Sequence, residues 1–162
     1  MIDRFSGPNW ILSNFARIPV TLYSTLEEGW ITYATAEHAF NAAKTLNPDE
    51  CRWVADAPAD DPGEAKRRGR RVTLRPGWDT DVRYRAMAAI IAAKFTPASS
   101  AAYFLLGTGK EELVEGNTWH DNHWGNCRCG RAACAPVGLN HLGQLLMKHR
   151  ALLRTPAGTA AR

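Results

Sequence analysis

Glu37 and Lys44 stand seven positions apart in Ala34-Thr35-Ala36-Glu37-His38-Ala39-Phe40-Asn41-Ala42-Ala43-Lys44-Thr45. In an α-helix two turns of 3.6 residues bring position i+7 back to nearly the face of position i, about 10.5 Å along the axis. Phe40 and Asn41 fall between them. A carboxylate can stabilise positive charge or move a proton, and an amine can neutralise an anion or attack a carbonyl carbon. The same spacing suits an exposed ion pair beside a buried phenylalanine, and spacing alone favours that plainer reading.

The elements that must position this pair follow from local signals. Thr35 can cap a first helical turn and Pro48 cannot continue one, which predicts a helix over 35–47. Before it, Val20-Thr21-Leu22-Tyr23 and Trp30-Ile31-Thr32-Tyr33 read as an antiparallel hairpin. After it, Asn47-Pro48-Asp49-Glu50 starts a short helix to about Ala57, and Asp61-Pro62-Gly63-Glu64 starts a basic one ending near Arg70 or Arg71. Thr73 to Trp78 is a connector, and Asp79 or Thr80 should cap the longest helix, with Val82, Met87, Ile90, Ile91 and Phe95 toward the core. Thr96-Pro97 should begin a helix through Leu106 that Gly107 ends, with a short strand over 112–115. Residues 117–138 lack regular periodicity, which in a loop this long points to function or to a bound group. Asn140 is expected to cap a last helix burying Leu142, Leu145, Leu146, His149 and Leu153.

The 162-residue length fits one domain, read as 1–154 with a frayed tail over 155–162. The fold class is α+β, predominantly helical, with a small antiparallel hairpin. A hydrophobic fraction of 45% with 22% charged residues is that of an ordinary globular protein and excludes a disordered chain. Neither a secretory signal nor a membrane-spanning run is present, so a cytoplasmic location is expected. The formal charge of +4 favours a phosphate-bearing ligand without requiring nucleic acid. Its densest part, Lys66-Arg67-Arg68-Gly69-Arg70-Arg71 followed by Arg75, fits either a solvated helix face or a phosphate site.

Two loops carry other chemistry-bearing residues. Ser13-Asn14-Phe15 offers a hydroxyl, an amide and a ring together, as would a plain turn over a hydrophobic anchor. Residues 117–138 hold Trp119, His120, Asp121, His123 and Trp124 with Cys127, Cys129 and Cys134. The three cysteines with His120 or His123, for which His123 is the choice, make a zinc set of irregular spacing. Plain thiols are favoured over it, and no cofactor is expected to be required.

In order along the chain come Leu12-Ser13-Asn14-Phe15, Thr35-Ala36-Glu37-His38-Ala39-Phe40 with Ala43-Lys44, and Gly69-Arg70 with Leu74-Arg75-Pro76-Gly77-Trp78-Asp79. Lys94-Phe95, Leu105-Leu106-Gly107-Thr108-Gly109 and Leu113-Val114-Glu115 follow. Asp121-Asn122-His123-Trp124-Gly125 and Gly138-Leu139-Asn140-His141-Leu142-Gly143-Gln144-Leu145-Leu146-Met147 complete the set. This order resembles the NADAR (NAD- and ADP-ribose-associated), YbiA-like family across most of the chain. The resemblance implies a mainly helical domain with N-glycosidase activity. Its substrates in the family are phosphorylated ribosylamino-pyrimidine intermediates of riboflavin synthesis, or ADP-ribose joined to guanine, including guanine in single-stranded DNA. Both present a ribose C1–N bond beside phosphate. Gly77 departs from the more familiar aspartate of the family, and the three loop cysteines are not part of its common pattern.

Breaking a ribose C1–N bond develops positive charge on the sugar, which a nearby anion stabilises. Carried onto this chain, the catalytic set is Glu37, Lys44 and Asp121. Glu37 is the anion or base. Lys44 acts as an ammonium or as a Schiff-base amine, and the sequence leaves both open. Asp121 is a second acid that taken alone would as readily cap a turn. The substrate-binding set is Ser13, Asn14, Phe15, Phe40, Lys66, Arg70, Arg75, Trp78, Trp124, Gly125 and Asn140, with Lys66, Arg70 and Arg75 toward phosphate and Trp124 as a stacking plane. His38 is placed to orient Glu37. Two other classes compete: a module that binds ADP-ribose without turnover, and a basic nucleic-acid binder whose affinity would fall steeply with salt.

Overall fold

A computed structural model describes residues 1–155; the remainder of the expected C-terminal tail lies outside the described residues. The chain clusters into two compact units, one formed by Asn14–Lys94 and the other by Met1–Ser13 with the chain from Phe95 onward. The fold is α+β and mainly helical.

In the unit Asn14–Lys94, β1 (Val20–Ser24) and β2 (Gly29–Tyr33) pair antiparallel with Leu22 opposite Ile31. Thr21 and Thr32 hydroxyls bond across the strands at 2.8 Å, and the Tyr23 and Trp30 rings meet edge to face. Then follow α1 (Ala36–Ala42), α2 (Pro48–Ala55), α3 (Pro62–Gly69) and α4 (Arg83–Lys94). Every residue of α1 is buried. It packs against α2, α3 and α4, and α4 also packs on β1. Ala42, Val54, Ala57, Ala65 and Val72 form one apolar cluster under Tyr33.

The expected caps Thr35, Asn47 and Asp61 hold their helices: their side-chain oxygens accept backbone N–H bonds from His38, from Asp49 and Glu50, and from Glu64. α1 itself ends five residues before the expected 47. Its last turn tightens to i→i−3 bonds, Lys44 N–H to Asn41 O and Thr45 N–H to Ala42 O. The Thr45 hydroxyl then donates to Glu50 and accepts from Asn47 N–H, which turns the chain into α2. Neither Asp79 nor Thr80 caps the long helix. The chain enters it through a π turn over Trp78–Val82, preceded by Gly77 at φ 74°. That left-handed backbone costs glycine little.

In the other unit, α5 (Ser100–Gly107) begins later than Thr96 because Ala98 has φ 64° and Ser99 is the cap, its hydroxyl accepting from Ala102 N–H. Gly107 lies inside α5, and Gly109 takes the left-handed turn instead. The strand expected at 112–115 is a single parallel bridge between Ile2 and Leu113. Next come β3 (Gly116–Asn117) and β4 (Asn126–Cys127), paired parallel, and α6 (His141–Arg154), which packs on α5. Asn140 precedes α6 without a side-chain cap bond; it sits at φ 52° and uses its amide on Glu115 N–H and Leu113 O. Leu142 and Leu146 are buried as expected, whereas Leu145, His149 and Leu153 are half-buried. The buried charge on α6 is Arg150, which donates to Thr108 Oγ1 and Glu111 O. No helix among the described residues is long and apolar enough to cross a membrane.

The contact of α1 with α3 depends on Gly69, where any Cβ would overlap the Asn41 side chain. Gly69→Ala is therefore expected to destabilise the protein by about 1–3 kcal/mol. Gly107→Ala, with open space around that position, should be neutral or stabilise by up to about 1 kcal/mol. Urea unfolding of both variants checks the contrast, and equal effects would contradict it.

Candidate active site

Glu37 occupies the first turn of α1, with its backbone N–H bonded to Asn14 O at 3.0 Å. Its side chain is only 7% exposed. Asn41, one turn later, donates through Nδ2 to both the Glu37 carbonyl at 2.9 Å and Oε1 at 3.0 Å. Those two acceptors fix the amide's orientation and leave the buried Asn41 Oδ1, on the side of Gly69, without a hydrogen-bond partner among the described residues. Burial pushes the Glu37 carboxyl above the usual carboxylate range; Lys66, the Asn41 amide, Lys44 and His38 act in the opposite direction, in that order of strength.

Lys44 lies just beyond α1. Burial lowers its pKa, Glu37 opposes the fall, and the cations Lys66 and Arg70 add to it. Its Nζ stands 5.7 Å from the centre of the Phe40 ring, and Phe40 packs at 5.2 Å against the buried Trp78. The Lys44 carbonyl accepts from Arg75 N–H at 2.8 Å, tying the connector 73–77 to the end of α1. Glu50 secures the same connector by accepting from Thr73 N–H and Thr73 Oγ1. Lys66 Nζ lies 5.9 Å from the Phe15 ring centre, and Asn14 Nδ2 approaches Met87 Sδ at 3.6 Å.

The unit Asn14–Lys94 thus gathers Asn14, Phe15, Glu37, Phe40, Lys44, Lys66, Arg70, Arg75 and Trp78 from the expected set. The basic run divides within it. Arg67 pairs with Asp61 and Glu64, Arg68 pairs with Glu64, and Arg68 and Arg71 both stand over the Trp53 ring. Lys66, Arg70 and Arg75 have no ion-pair partner among the described residues. Sequence reasoning gave Lys66 to phosphate alone, yet it is the strongest cationic influence on Glu37. It also overlooked Asn41 as the group that holds the carboxylate, although i, i+4 spacing on one helix was the available signal.

His38 does not orient Glu37. Its Nε2 donates to Ala57 O at 3.2 Å, so Nδ1 accepts from the Thr35 hydroxyl at 2.9 Å, and the ring fastens α1 to the end of α2.

The remaining expected residues belong to the other unit. Ser13 N–H bonds to Trp10 O, closing the 3₁₀ turn Gly7–Leu12. Asp121 Oδ1 accepts from His123 N–H and Trp124 N–H, holding a tight turn. Trp124 packs edge to face with His123, and Gly125 has no room for a Cβ beside Glu115 O. The Asn140 amide is engaged with backbone groups. His123 is not a member of the cysteine cluster. Its ring lies 4.7 Å from that of His141, and His120 is the histidine that joins Cys127, Cys129 and Cys134.

A raised pKa means that the folded chain holds the Glu37 proton more tightly than the unfolded chain does. Ionised Glu37 therefore costs stability at neutral pH. Glu37→Gln should raise the melting temperature at pH 7 to 8. The gain should vanish well below the ordinary value of 4.5, grow as pH rises through it, and level off above the folded pKa. Melting temperatures of both proteins across pH test this; a lower value for the variant at pH 8 would contradict it.

A family model described as the NADAR domain matches residues 4–154. Over 150 residues the chain is 33% identical to an N-glycosidase of Nostoc punctiforme, covering 91% of this chain and 87% of that protein. It is 35% identical over 152 residues to the chloroplastic riboflavin biosynthesis protein PYRR of Zea mays; the match covers 85% of this chain and 22% of that longer protein. The NMR structure of E. coli YbiA superposes with a TM-score of 0.73 at 29% identity, covering 94% of this chain and 86% of that one. With its helices arranged as in YbiA and the family model matched from Arg4 to Arg154, the chain belongs to the NADAR domain family.

Proposed function

We propose that the protein is an N-glycosidase that hydrolyses a ribose C1–N bond and removes ADP-ribose from guanine in nucleic acid or nucleotide. One observation carries the reading: a buried carboxylate, Glu37, under the influence of two lysines, Lys66 and Lys44, with the Phe40 ring beside Lys44 and Trp78 packed on Phe40. As the C1–N bond breaks, its electron pair leaves with the base and positive charge spreads over the sugar ring. Glu37 stabilises that charge and takes a proton from water as the water oxygen bonds to C1; the proton then passes to the departing nitrogen. Lys66, Arg70 and Arg75, which lack carboxylate partners among the described residues, take the phosphates. Lys44 assists as an ammonium or, because burial favours its neutral form, as an amine that adds to C1 of the opened sugar and expels the carbonyl oxygen as water, giving a Schiff base that water then hydrolyses to free the sugar and the lysine. Asp121, Trp124, Ser13, Gly125 and Asn140 enter the reading through the family motifs. The residues named supply the whole reaction without a cofactor, and cysteines that stand outside any disulfide fit a cytoplasmic setting.

A second reading is favoured by the likeness to maize PYRR: hydrolysis of a phosphorylated ribosylamino-pyrimidine of riboflavin synthesis. The chemistry at C1 is the same. Incubation with single-stranded DNA carrying ADP-ribosylated guanine and, in parallel, with a ribosylamino-pyrimidine phosphate separates the two when free base and sugar are measured by mass spectrometry. Release from the first alone supports the proposal, release from the second alone selects the other substrate, and binding of ADP-ribose without release of either product identifies a reader.

With whichever substrate turns over, Glu37→Gln and Lys44→Ala should each lower the rate at least about 100-fold while circular dichroism shows the fold retained. Full activity in both would refute the assignment. Borohydride added during turnover should fix a sugar adduct on Lys44 that Lys44→Arg abolishes if the amine is the nucleophile; an unchanged mass assigns the ammonium role.

A further inference from the structure

We infer that His120, Cys127, Cys129 and Cys134 form a structural zinc site. Their four ligating atoms lie within 4.8 Å of one another, although the residues come from different local structures. Cys127 ends β4, Cys129 follows on the next bend, Cys134 closes the 3₁₀ turn Ala132–Cys134, and His120 stands in the loop after β3. His120 Nδ1 is 3.3 Å from Cys129 Sγ and 3.4 Å from Cys134 Sγ. A tetrahedral zinc with bonds of about 2.3 Å to sulfur and 2.0 Å to nitrogen sets its ligands about 3.5–3.8 Å apart, so the ion needs only small side-chain shifts.

Hydrogen bonding alone accounts poorly for this cluster. A neutral imidazole nitrogen has one lone pair and cannot satisfy two thiols well at once, and thiols are weak donors. A zinc ion satisfies all four groups together. The backbone around them is fixed in advance. Asn117 grips the loop by donating to Asp121 O and accepting from Asp121 N–H, and Asn122 Oδ1 accepts from Cys127 N–H at 2.7 Å. His120 holds φ 69°, a left-handed conformation uncommon outside glycine, and this turn presents its ring to the sulfurs. Four protein ligands close the coordination sphere, which is the structural rather than the catalytic type. The ion would fasten the segment from His120 to Cys134, and with it the Asp121–Gly125 turn, to β4.

Tag-free protein prepared under reducing conditions with zinc should carry one zinc per chain by native mass spectrometry. Cobalt in its place should give the thiolate charge-transfer and intense visible bands of tetrahedral coordination. The double variant Cys129→Ser with Cys134→Ser should lose both signals, and Cys51→Ser should keep them. Stripping zinc with a chelator should lower the melting temperature of the parent chain and leave that of the double variant unchanged. A zinc-free parent chain after incubation with excess zinc overturns the inference, whether its thiols all react with Ellman's reagent or two of them are joined in a disulfide. None of these readouts depends on catalytic activity.

Discussion

A carboxylate kept from water needs compensation, and much of the unit around Glu37 supplies it. Desolvation raises the free energy of the ionised form by several kcal/mol unless charges and hydrogen bonds are arranged to oppose it. Here the opposition comes from Lys66, the Asn41 amide and Lys44, yet it leaves the carboxyl above its ordinary range. α1 can hold such a group because all seven of its residues are buried against three other helices. A helix this short would not persist in water by its own propensity. Thr35 and His38 secure its start, and Gly69 lets α3 come close enough to fix Asn41.

Charge on the neighbouring basic helix follows the same logic. Asp61 and Glu64 neutralise Arg67 and much of Arg68 on one side of α3, and the Trp53 ring receives Arg68 and Arg71. What remains without a counterion among the described residues is Lys66 and Arg70, the cations that act on Lys44, with Arg75 tied by its backbone to the same residue. A run that looks uniform in the sequence therefore serves two purposes. Its paired members hold the helix, while the others keep a positive field beside a lysine that is already partly desolvated.

Local signals in the chain were readable where a side chain caps its own first turn or where two β-branched segments pair across a short turn. Thr35, Asn47 and Asp61 cap as expected, and the two β-branched segments pair as a hairpin, because caps and hairpins are satisfied by near neighbours. The end of α1 was not readable in this way: it is set by Thr45 engaging Glu50 and Asn47, and helix propensity alone would have carried it to Pro48. His38 and Asn140 were misjudged for one reason. Each has side-chain groups directed to a distant backbone, Ala57 in one case and Leu113 and Glu115 in the other, and sequence adjacency to Glu37 or α6 gave no sign of it. The cysteine cluster shows the same limit. Spacing did not separate His120 from His123, and the choice of His123 is overturned: the left-handed turn at His120 brings that ring to the cysteines instead. The Glu37 and Lys44 pair was visible as a pattern, and its reading as a site came from the ordered motifs around it.

The opposed shifts at Glu37 and Lys44 bear on what a bound phosphate would do. Burial moves both groups toward their neutral forms, the carboxyl upward and the amine downward. An anionic phosphate arriving near Lys66 and Arg70 would cancel part of the field that these cations exert. That change favours the ammonium of Lys44, since the cations repelling its charge are neutralised, and it also favours a protonated Glu37, since its attractive partners are weakened. Both groups would then hold protons more tightly than in the free protein. For the amine of Lys44 to act as a nucleophile it must instead stay free of its proton while phosphate is bound. A phosphate taken by the Arg75 fork rather than by Lys66 or Arg70 would meet that condition, because Lys66 and Arg70 are the cations that act on Lys44. Which role Lys44 takes thus depends on where along this row of cations the phosphates sit. The positive field around Lys44 and the protonation state of its amine are therefore set by the same cations.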